Sequence, residues 1–109
     1  MFERDLRHPR PIARYAVTFG LRGCYMPDSH EGAYEFSTRR ELASFIRGEL
    51  EAFDMPTRLF RKVRLRRLWR FISRHGSSTA HFSLYHGANA LEFHGLTEDE
   101  YREQAECDA

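Results

Sequence analysis

Between Met55 and Leu91 the chain has no Asp or Glu at all. Cysteine is almost as scarce, with Cys24 and Cys107 alone. Two cysteines build neither a disulfide framework nor a four-ligand zinc site. No run approaches the roughly 18 consecutive apolar residues of a membrane span. The opening Met1-Phe2-Glu3-Arg4-Asp5 lacks the apolar core and cleavage pattern of a secretory signal, so a reduced, cytoplasmic protein is expected. Long low-complexity tracts and internal repeats are missing too, and nothing resembles a linker able to divide the chain. What remains is 109 residues, 41% hydrophobic and 14% aromatic, enough for one packed core rather than a disordered chain. Residues 1–13, with Pro9 and Pro11, read as a flexible N-terminal arm, and 14–106 as a single domain.

The formal net charge of +1 conceals a segregation. The acid-free stretch carries Arg58, Arg61, Lys62, Arg64, Arg66, Arg67, Arg70 and Arg74. The tail from Glu92 onward holds seven acids against the single Arg102. Arginine presents a planar fork that grips phosphate or carboxylate with two hydrogen bonds, and its weak hydration suits an interface. The plain alternative is an ordinary solvated face written in arginine rather than lysine.

Periodicity sets the elements. Arg14–Phe19 alternates, with Tyr15, Val17 and Phe19 on one side, as a strand does, and Ala33–Ser37 repeats the pattern. Thr38-Arg-Arg-Glu41 is a capping box, opening a helix whose Leu42, Phe45, Ile46, Leu50 and Phe53 form one stripe. As one helix, residues 58–74 would scatter their apolar side chains around the whole circumference. Splitting them gives a strand over Leu59–Leu65 and a helix over Arg66–His75, with Leu65, Leu68, Trp69 and Ile72 on one arc and Gly76 as the C-terminal cap. Thr79–Tyr85 and Ala90–His94 form a hairpin around Gly87-Ala88, which pairs Leu84 with Leu91 and Phe82 with Phe93. Thr97 and Glu100 then box the start of a short acidic helix. The order β-β-α-β-α-β-β-α predicts an α+β domain, a mostly antiparallel sheet with helices on one face.

Candidate chemistry is thin. His81 and His94 fall opposite each other on the polar side of the hairpin, beside Glu92. Without H-x-x-E-H, H-E-x-x-H or C-x-x-C spacing, a surface pair is preferred over a metal site. Cys24, Asp28 and His30 invite a nucleophile-and-base reading, but no oxyanion-hole motif accompanies them, and Gly20-x-x-Gly23 lacks the Lys-Ser/Thr of a phosphate loop. No enzyme activity, cofactor or metal is therefore expected. The connection Gly20–Gly32 is long, and carries Leu21, Arg22, Tyr25 and Met26, residue types that either complete a core or mark an interface.

The segment Phe19-Gly-Leu-Arg-Gly-Cys-Tyr-Met-Pro-Asp-Ser29, with the Thr-Arg-Arg-Glu-Leu-Ala43 helix start, resembles short proteins encoded by phages and other mobile elements of proteobacteria. Some proteins of that size and context are anti-CRISPR inhibitors, and the resemblance implies a binding protein without catalysis. The expected function is a non-enzymatic module that docks on a nucleic-acid-handling or defence complex. Its partner-binding residues would be Arg22, Tyr25, Met26, Lys62, Arg64, Arg66, Arg67, Arg70, Phe71 and Arg74. The alternative is a protein that binds nucleic acid directly through the basic segment 58–74. Neither reading involves a membrane.

Overall fold

The computed structural model describes residues 11–21 and 30–108, and the side chains of 11–21 and 32–106. Strand β1 (Ala13–Leu21) pairs antiparallel with β2 (His30–Phe36) on one side and with β4 (Asn89–Gly95) on the other. Strand β3 (Phe82–His86) completes the order β2-β1-β4-β3, which among the described residues puts β2 and β3 at the two ends. Helix α1 (Arg39–Ala52) follows β2, and α2 (Leu65–His75) and α3 (Glu98–Asp108) follow later in the chain. The α+β class and antiparallel sheet stand as expected. The elements follow in the expected order, with a 3-10 turn over Thr57–Lys62 in place of the third strand.

That substitution has a local cause. Pro56 fixes its own φ at −60°, and its carbonyl accepts the Leu59 amide at 3.1 Å, closing the turn. Leu59 is buried and its neighbour Phe60 packs against the same core. Consecutive inward side chains suit a helical turn, whereas a strand would send them to opposite faces.

One sheet face holds the core. Tyr15, Val17, Leu84, Leu91 and Phe93 meet Leu42, Ile46 and Leu50 of α1 and Ile72 of α2. Phe82 and Phe93 stack at 4.5 Å, as the hairpin register requires, and both observed pairs, Phe82 with Phe93 and Leu84 with Leu91, are those expected. Gly87 has φ 60°, which opens the two-residue turn as glycine can and most residues cannot. Leu65, Leu68 and Trp69 pack half-buried on the core, so Trp69 is an anchor. None of the described side chains of helix α3 belongs to that cluster, and the helix lies instead against β2 and β1. On the polar side of β1, Ala16 and Thr18 are also buried.

Candidate docking surface

Eight cations enter the surface from two consecutive elements. Arg58, Arg61 and Lys62 belong to the 3-10 turn, Arg64 sits at the N-cap of α2, and Arg66, Arg67, Arg70 and Arg74 lie along it. All eight are exposed. On the helix, the four arginines fall within an arc of about 100°, opposite the inward stripe of Leu65, Leu68, Trp69 and Ile72. The apolar stripe thus dictates the direction of the charge, because a helix anchored on one face must present the other to water.

None of the eight forms an ion pair with a described carboxylate. Among the described residues, ion pairs join Arg14 with Glu35 and Arg102 with Glu98, with a long contact of His94 with Glu92. Of the tail acids, Glu98 pairs with Arg102 and Glu92 lies beside His94. Glu100 accepts the Thr97 amide at 2.8 Å, which, with the Thr97 hydroxyl, holds its carboxyl below the usual range. Neutralisation of the basic zone by the terminal carboxylates is therefore not found among the described residues.

The N-terminus of α2 compounds the excess. Its N-cap, Arg64, makes no side-chain capping bond, and its first turn has no acid. Arg66 and Arg67 add positive charge at the end where the helix dipole is already positive, an arrangement that favours an anion.

Between this segment and β3 runs an open groove of about 430 Å³. Lys62, Val63, Arg64, Arg67, Leu68 and Phe71 form one wall, and residues 79–84 the other. Phe71 is 41% exposed, a large apolar surface set among cations. Arg66, Arg70 and Arg74 do not line the groove and belong to the outer face of the same helix. The zone therefore has a grooved side and an open side.

Sequence reasoning missed two contributors. Arg47 of α1 places its guanidinium carbon 4.4 Å from the centre of the Phe60 ring, extending the cationic zone onto a second helix. Ser83 and Phe82 of β3 supply the opposite wall of the groove, a role no charge pattern marks. Arg22, Tyr25 and Met26 lie outside the described residues, as do Cys24, Asp28 and the His30 side chain. The connection between the first two strands is shorter than expected, because β1 continues to Leu21 and β2 begins at His30. Leu21 is exposed rather than folded into the core.

The histidine pair is built into the sheet. His81 Nδ1 accepts the Gly95 amide at 2.9 Å, and His94 Nε2 lies 3.0 Å from Thr18 Oγ1. Their rings are 6.2 Å apart, each with a polar partner of its own. Among the described residues no group of three His, Cys, Asp or Glu side chains is placed to hold a metal ion, and no helix is long and apolar enough to cross a membrane. Comparison with family models, with curated proteins and with solved structures finds no match to this chain.

Proposed function

We propose that the chain is a non-catalytic binding module that docks on an anionic partner through the cationic zone of residues 58–74. One observation carries this reading: eight exposed cations without a described counter-charge, mounted on a helix whose apolar stripe is anchored in the core. Isolated surface charges contribute little to stability, and concentrated ones repel, so such a zone acts mainly through the field it offers a partner. An inhibitor of phage or mobile-element type, acting on a nucleic-acid-handling or defence complex, is the partner relationship the sequence resemblance implies. Phe71 beside Lys62, Arg64 and Arg67 supports a protein partner, since an aromatic ringed by arginine is the composition of an interface anchor.

The outer arginines Arg66, Arg70 and Arg74 support direct nucleic-acid binding as the second reading. A pull-down from bacterial lysate, with and without nuclease, tests the two. Capture of the same protein after nuclease treatment, lost with Arg64, Arg67 and Arg70 reversed to Glu, supports the first. Capture abolished by nuclease, together with a gel shift of random single strands whose affinity falls steeply with salt, supports the second and overturns the first.

A further inference from the structure

We infer that β3 is a docking edge for an extended acidic peptide, which adds as a fifth strand in the groove beside Lys62, Arg64 and Arg67. This rests on the docking surface proposed above and specifies what it binds. The first observation is topological. Among the described residues β3 pairs with β4 alone, so at Ser83 its other side faces the groove with no described strand beside it.

The register identifies the free groups. His86 and Asn89 close the two-residue turn as a hydrogen-bonded pair, and pairs alternate from there. Ser83 opposite Glu92 is therefore a non-hydrogen-bonded pair, and the Ser83 amide and carbonyl point outward from the sheet. Proteins normally guard such an edge with a charged inward side chain, a proline or a bulge. Strand β3, Phe-Ser-Leu-Tyr-His, has none of these.

The second observation is charge. The groove along this edge is walled by Lys62, Arg64 and Arg67, and no acid occurs anywhere in residues 55–91. Successive side chains of an added strand point to opposite sides. A chain alternating acidic and apolar residues would thus direct carboxylates to the guanidinium side while its main chain pairs with Ser83. Nucleic acid answers the charge but has no main chain to complete a sheet, so the edge and the cations together select a polypeptide.

The probe is a blocked, fluorescent seven-residue peptide of alternating Glu and Val, titrated by anisotropy. Binding is expected to weaken at least about tenfold when Lys replaces Glu, and comparably when alternate peptide nitrogens are methylated. In the protein, Arg64→Glu with Arg67→Glu should abolish binding. Ser83→Pro, which removes an outward N–H at an edge position where proline is tolerated, should weaken it about tenfold. Amide hydrogen exchange at Ser83 should slow on binding. Binding that needs the arginines but ignores N-methylation, with Ser83 exchange unchanged, overturns strand addition and leaves the cationic docking surface standing. Indifference to both arginine reversals, with each variant folded, overturns both.

Discussion

A side chain on Gly95 would begin where the main chain of Ser77 already runs: a Cβ there would lie 1.5 Å from the Ser77 carbonyl oxygen. This contact locks the 3-10 turn before the hairpin to the end of β4. Ser77, itself buried, donates its hydroxyl to the Leu96 carbonyl at 2.9 Å and accepts the Arg14 amide at 3.1 Å. Leu96 in turn donates to the Arg14 carbonyl at 2.7 Å. Three segments distant in sequence meet at one hydroxyl.

Gly95→Ala is accordingly expected to destabilise by about 3 kcal/mol or more, since the atom it meets belongs to the backbone and cannot swing aside. Ser77→Ala should cost about 1–3 kcal/mol, because it strands an amide and a carbonyl in a partly buried site. Urea unfolding monitored by circular dichroism measures both.

Tyr15 is fully buried, and among the described residues its hydroxyl has no hydrogen-bond partner. Its ring makes edge contacts with Phe82 and Phe93, so the ring is what the core uses. Tyr15→Phe should therefore raise stability by about 1 kcal/mol. Burial also pushes the phenol well above its usual 10.0. A group whose folded value is raised supports the fold in full below its unfolded value and loses that support as pH rises beyond it. Melting temperature should fall above about pH 10 more steeply in the native protein than in Tyr15→Phe.

The carboxyls of the two capping motifs act at the other end of the pH scale. The Thr38 hydroxyl, followed by that of Ser37, holds Glu41 below the usual carboxylate range, as the Thr97 amide and hydroxyl hold Glu100. Groups lowered in this way support the fold above their unfolded value and lose that support as pH falls through the folded one. Thermal melts between about pH 5 and pH 3 should show a flatter decline for Glu41→Gln with Glu100→Gln than for the native protein.

Beyond helix α1 and its C-cap Phe53, Asp54 stands at φ 55°, with Met55 N–H donating to the Leu50 carbonyl at 2.8 Å and Asp54 N–H to that of Glu51 at 3.1 Å. That is a Schellman closure with an aspartate in the left-handed position glycine prefers. Asp54→Gly should stabilise by about 0.5–1 kcal/mol in the same urea titration, whereas a β-branched residue there should destabilise.

Arg67 occupies the third position of α2, where an acid favours the dipole and a cation opposes it. Arg67→Glu should raise stability by about 0.5 kcal/mol while weakening partner binding at least about tenfold. Opposite movement of the two quantities marks a residue kept for binding; parallel loss would mark a structural one.

The parts of the fold legible in the sequence are those in which one periodicity has one outcome. The hairpin register followed from matching Phe82 to Phe93 and Leu84 to Leu91, because a slip by one residue would turn one strand's pair to the polar side. The stripe of α1 and the caps at Thr38 and Thr97 were readable for the same reason. Residues 59–65 alternate as a strand does, yet Leu59 and Phe60 both face the protein, and only the Pro56 turn and the α1 surface under Arg47 decide between the two. The arginines of α2 were legible as a group once Leu68 and Ile72 fixed the inward side. The groove was not, since its second wall comes from β3, and a sheet edge is defined by which strand is absent beside it.

Docking through the outward cations of residues 58–74 is open to measurement. Its most direct test is the affinity of the protein captured from nuclease-treated lysate for the native chain and for the Arg64→Glu, Arg67→Glu, Arg70→Glu variant, with melting curves confirming that both are folded. The expected result is a folded variant whose affinity falls by about a hundredfold or more, and a native affinity that weakens with added salt. Equal affinity for the two folded proteins at low salt would contradict it.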